Sequence, residues 1–80
     1  MQDTQGRLVG CFRQVFPALT ENAIPTATQE SVEGWDSIAQ VTLVSLIGEE
    51  FGMDIDFEQF ENALSFPAIL EVVRAGTANG

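Results

Sequence analysis

The chain contains no histidine. A Ser-His-Asp triad and a histidine-ligated metal site are therefore both excluded. Its single cysteine, Cys11, rules out an internal disulfide and a thiolate metal cluster, and such sparse usage fits a reducing compartment. No base neighbours that thiol in sequence to make it reactive, so it reads as a small apolar filler at the edge of a core. Three bases stand against 12 acids, for a net charge of −9. That balance disfavours nucleic acid and anionic lipid as partners and favours basic protein surfaces. No apolar run is long enough to cross a membrane. No basic segment followed by an apolar stretch marks a signal peptide. No glycine-rich phosphate loop leads into a lysine. Together these absences predict a monomeric cytoplasmic protein that binds no metal, touches no membrane and is not an enzyme.

What is present describes one small domain. Apolar residues make up 45% of the 80, enough for a modest core, and charged residues only 19%, too few for a disordered acidic tail. The expected fold is all-α, a small four-helix bundle spanning 1–80 with an ordered core at about 4–76. Leu8, Phe12, Val15, Phe16 and Leu19 recur at helical spacing and predict a first helix from about Thr4 to Phe16, ended by Pro17. Residues 17–36 form a long connection. Pro17, Asn22, Pro25 and the run Thr26-Ala27-Thr28-Gln29 argue against a long helix there, and Leu19, Ile24, Val32 and Trp35 are spaced to pin the loop down. A short helical turn is expected near Leu19 to Asn22, and Trp35 is expected to be a partly buried anchor.

The second helix is predicted from Ser37 to Phe51, with Gly52 as its stop. Leu43, Val44, Ile47 and Phe51 share its core sector. Ile38 projects the opposite way, with Thr42, Ser45 and Glu49 beside it and Val41 on the flank. Gly48 permits close packing or a soft spot. After the link Met53-Asp54-Ile55-Asp56, Asp56 caps a short third helix with Gln59 as its capping-box partner, and Phe57, Phe60 and Leu64 follow at helical spacing. Asp54, Asp56 and Glu58 lack the glycine and distal glutamate of a calcium loop. Ser65 caps a fourth helix carrying the stripe Phe66, Ile69, Leu70 and Val73, with Arg74 in its last turn and Gly76 as its stop.

The chemistry concentrates where the second helix begins. Asp36 and Ser37 are both good caps, and Ser37-x-x-Gln40 has the form of a capping box. Gly34 lets the chain turn into the helix. A phosphate on Ser37 would sit at the positive end of the helix dipole. Ile38 places an exposed apolar side chain next to that hydroxyl. Glu49 and Glu50 are adjacent on the helix and point apart, a solvated face rather than an acid/base pair. Nothing in the chain activates Ser37 as a nucleophile.

Asp36-Ser37-Ile38, in register with four helices, resembles the Asp-Ser-Leu signature of acyl carrier proteins. The resemblance extends over about residues 7 to 75. It takes in the acidic balance, the long first loop, Glu49-Glu50-Phe51-Gly52 and Ile55. It implies that Ser37 carries 4′-phosphopantetheine, attached by a phosphopantetheinyl transferase, and that the arm holds an acyl group as a thioester. It implies docking through Asp36, Ile38, Val41 and Glu49 onto basic patches of acyl-transferring or acyl-activating enzymes, with the apolar space between helices, near Gly48, sheltering the carried chain. Ile38 stands where the family usually has Leu, and Ala39, Thr42 and Gly48 stand where members serving fatty acid synthesis usually carry acids. Those departures point to a specialised pathway, polyketide, lipid or other secondary. A peptidyl or aminoacyl carrier and an unmodified acidic helical adaptor stay open as alternatives.

Overall fold

The computed structural model describes residues 3–54 and 56–78, and side chains as far as Gly76. Ile55, part of the family resemblance, and residues 79 and 80 lie outside the described residues. Four α-helices make up most of the described chain, and no strand is present among the described residues: α1 (Thr4–Val15), α2 (Ser37–Phe51), α3 (Phe57–Phe60) and α4 (Phe66–Ala78).

Helix α1 begins one residue after Asp3, whose carboxylate accepts from the Gly6 N–H at 2.7 Å. This cap satisfies a free backbone donor in the first turn of α1. Leu8, Cys11 and Phe12 lie on its buried face. Phe16 closes it, donating its N–H to the Phe12 carbonyl at 2.8 Å, just before Pro17.

The long connection is held by its own apolar residues. Ile24, Ala27, Val32 and Trp35 are buried, and Leu19 is half-buried. Its helical turn is a 3₁₀ turn at Ile24–Thr26, not at Leu19 to Asn22. The reason is Ile24, which is wholly buried while residues 20–23 are exposed. Thr28 and Ser31 then exchange reciprocal bonds between backbone N–H and hydroxyl, at 2.9 and 3.1 Å. Gln29 donates to the Leu64 carbonyl at 2.8 Å, and Phe66 donates to the Ala27 carbonyl at 2.9 Å. These two bonds stitch the loop to the entrance of α4 and satisfy backbone groups that a long loop would leave exposed.

The core is built where α1, α4 and the loop meet. Phe12 stands edge-on to Trp35 (5.5 Å between centroids, 81°) and to Phe66 (5.1 Å, 64°), and Phe16 tilts against Trp35 at 5.5 Å. Leu43, Val44 and Ile47 present the core face of α2, with Phe51 half-buried. Trp35 is only 4% exposed, a full core anchor rather than a partly buried one.

The end of α4 differs from expectation. Helix α4 continues through Gly76 to Ala78, so Gly76 is not its stop and Arg74 is not in its last turn. Gly76 instead faces the tip of Met53, whose Cε methyl would have to swing aside for a Cβ there. By contrast, Gly52 ends α2 in the left-handed region (φ 63°), and the N–H groups of Gly52 and Met53 both donate to the Gly48 carbonyl.

Candidate functional site

The tip of α2 is built from four consecutive backbone decisions. Gly34 adopts a positive φ of 92°, which reverses the chain. Trp35 turns inward, donating its N–H to the Val32 carbonyl at 3.3 Å. Asp36 is the N-cap: its carboxylate accepts from the Ala39 N–H at 2.8 Å, and its carbonyl accepts from the Gln40 N–H at 2.9 Å. Ser37 is thus the first helical residue, and its side chain is exposed.

The capping box expected of Ser37 and Gln40 does not form. Asp36 takes the cap: its carboxylate, favoured at the positive end of the helix, accepts from the Ala39 N–H, and its carbonyl already satisfies the Gln40 N–H that a Ser37 cap would need. Gln40 is used elsewhere. Its side-chain oxygen accepts from the Trp35 Nε1–H at 2.7 Å, and its side-chain nitrogen donates to the Phe60 carbonyl at 2.9 Å and to the Ala63 carbonyl at 3.4 Å. Asp56 caps α3 through the Glu58 N–H at 3.0 Å, and Ser65 caps α4 through the Ala68 N–H at 3.2 Å.

Around the tip the structure brings together Asp36, Ser37, Ile38 and Val41, all exposed. Ile38 is 78% exposed and Val41 is 51% exposed. Glu49 does not join them. It shares the face of Ile38 but lies about 16 Å further along the axis at roughly 1.5 Å per residue, bordering a recess with Cys11, Gln14 and Leu46. Glu50 turns to Arg7, whose guanidinium bonds its carboxylate at 2.8 Å, bonds its carbonyl, and stacks 4.6 Å over the Phe51 ring. A cation is thereby set at the negative end of α2.

A groove of about 460 Å³ opens beside Ser37, walled by Val41 and Val44 of α2 and by Phe57, Phe60 and Leu64, with Gln40 also lining it. An apolar space between helices is expected near Gly48, but the groove lies at the Ser37 end of α2. Phe57 and Phe60 lie in the four-residue α3 and Leu64 in the link after it; of the three only Phe60 is buried, while Phe57 is 52% and Leu64 38% exposed. Gly48 is buried and does not line the groove, so the opening lies nearer Ser37 than the glycine suggested. Cys11 is buried, and burial, reinforced by the Glu50 carboxylate and opposed by Arg7, pushes its thiol up to about 11. It is an inert filler.

No helix of the described residues is long and apolar enough to cross a membrane. Comparison with protein-family models, with curated proteins and with solved structures gave no match.

Proposed function

We propose that this chain is a carrier whose Ser37 hydroxyl accepts 4′-phosphopantetheine, and that it delivers an acyl group to partner enzymes of a specialised pathway without catalysing anything itself. One observation carries the reading: Ser37 is freed from the capping role by Asp36 and stands exposed at the first position of a fifteen-residue helix.

The residues around it suit the group. The positive end of α2 favours a phosphodiester at Ser37. Asp36 keeps its cap bond to Ala39, so a bulky ester on the next residue displaces no structural contact. When bound, the group would supply a thiol on a long flexible tether, able to hold an acyl chain as a thioester. The chain's own residues would do the rest. Ile38 and Val41 offer apolar contact beside the tether point, and the acidic balance attracts basic partner surfaces. Tethering raises the effective concentration of cargo at each partner. The groove walled by Val41, Val44, Phe57, Phe60 and Leu64 is the apolar space within reach of Ser37.

Incubation with a phosphopantetheinyl transferase and coenzyme A, followed by intact mass, tests the reading. The expected gain is one phosphopantetheine per chain, absent in Ser37→Ala at unchanged helix content. A chain that gains nothing under conditions that modify a control carrier is an unmodified adaptor, and the proposal fails.

A further inference from the structure

We propose that Gln40 is a positioning residue for Ser37, tying the tip of α2 to the far wall of the groove. Its use rests on the carrier reading above, but the coupling itself is a property of the unmodified chain.

A single planar amide is engaged from both sides. Its nitrogen reaches the carbonyls of Phe60, the last residue of α3, and Ala63, in the link to α4, while its oxygen receives the Trp35 indole. Trp35 immediately precedes the N-cap Asp36, and Ser37 follows. Two side-chain hydrogen bonds therefore connect the end of α3 to the residue that braces the tip. A buried indole N–H without its acceptor is left unpaired, and the Phe60 carbonyl, which also accepts from the Ala63 N–H at 3.0 Å, loses its link to α2. Trp35 is buried with its ring against Phe12 and Phe16, so it can shift little without moving the backbone entering Asp36.

The wall on the other side is the element that gives. Helix α3 is one turn long, anchored by the buried Phe60, with Phe57 largely outside. Helices this short depend wholly on their packing. Gln40 lines the groove and Trp35 does not. Displacing α3, whether by a guest in the groove or by a partner gripping Phe57, draws the two carbonyls away from the amide. The amide then loses the contact that orients it against the indole, and the brace behind Ser37 loosens. Ser37 is thus held in one place only while α3 is seated.

The test uses the unmodified, ¹⁵N-labelled full chain and reads the Trp35 indole N–H and the Ser37 amide. Phe60→Leu loosens the seat of α3 and is expected to move both resonances. In a Gln40→Met background the indole is already shifted, and Phe60→Leu moves it no further. Gln40→Glu keeps the acceptor for Trp35 but lacks the donor to α3, so the indole stays bonded and stops responding to Phe60→Leu. An indole that responds equally with and without Gln40 overturns the proposal. If Phe60→Leu does not fold, native-state hydrogen exchange of the unsubstituted chain decides: the indole and the α3 amides must open with one urea dependence, and separate openings overturn the coupling. In the transferase reaction, kcat/KM for Ser37 falls about five- to tenfold in Gln40→Met, the scale of one lost hydrogen bond. An unchanged value removes the positioning role. Failure of the unsubstituted chain to be modified at all removes the carrier reading and leaves the coupling measurement intact.

Discussion

Asp36 and Ser37 divide between them two tasks that sequence alone assigns to either. Both residue types cap helices, and Gln40 three residues after Ser37 favoured the serine. The structure gives the cap to Asp36, while the Gln40 side chain turns to the Trp35 indole and, 20 residues away, to the end of α3, a partner that no local pattern reveals. The consequence is measurable. Asp36→Ala should lower stability by about 1 kcal/mol, whereas Ser37→Ala should stay within roughly 0.5 kcal/mol, as expected of a surface change. Urea unfolding of the two variants separates them, and equal losses would mean that the cap is shared.

Cys11 offers a second test at the same scale. Its thiol pKa in the folded chain, about 11, lies above the unbonded value of 9.0. Folding therefore favours the protonated form. The sign follows: this stabilisation is fully present below about pH 9 and is lost as pH rises through about 11. The chain has no tyrosine, and its three bases, Arg7, Arg13 and Arg74, are all arginines, so no other side chain titrates in that window. The urea midpoint should fall between pH 9 and 11, and Cys11→Ala should flatten that slope. A slope that persists in the variant contradicts the assignment.

At the scale of elements, the helices with long apolar stripes were legible. Leu43, Val44 and Ile47 of α2, and Phe66, Ile69 and Val73 of α4, are buried where the 3.6-residue period puts them, and Ile38 is exposed where it puts Ile38. The ends were less so. Gly76 looks like a stop, but it faces the tip of Met53 and the helix runs on. The position of the groove was hidden for a similar reason: with Phe57 and Phe60 in a helix of one turn and Leu64 beyond its end, spacing does not say which of the three turns inward. Arg7 shows how two elements are joined across 43 positions, bonding Glu50 and stacking on Phe51 at the carboxyl end of α2. The ion pair is half-exposed, so by itself it contributes little. With the stacking and the dipole added, Arg7→Ala should cost about 1–2 kcal/mol, and thermal unfolding in low and high salt should show only part of that loss as salt-sensitive. A loss fully erased by salt would leave no role for the ring.

For the molecule as a whole, one aromatic cluster ties the loop to the helices. Phe12, Phe16, Trp35 and Phe66 meet at ring distances of 5.1 to 6.2 Å. Trp35→Ala should cost about 3–5 kcal/mol, a large fraction of the roughly 4–12 kcal/mol that a domain of this size commands. Loss of cooperative unfolding is the expected readout. The surface carries the opposite character, with acids far outnumbering bases. If the proposed carrier docks on basic partner surfaces, its association rates should drop as salt rises past the physiological range. The central claim is narrower than any of this: one hydroxyl, at residue 37, is offered for modification. The most direct measurement is fragmentation mass spectrometry of the chain after treatment with transferase and coenzyme A. The account predicts a single phosphopantetheine located on Ser37 and none in Ser37→Ala; an unmodified chain, or a group found on Ser31, Ser45 or Ser65 instead, would contradict it.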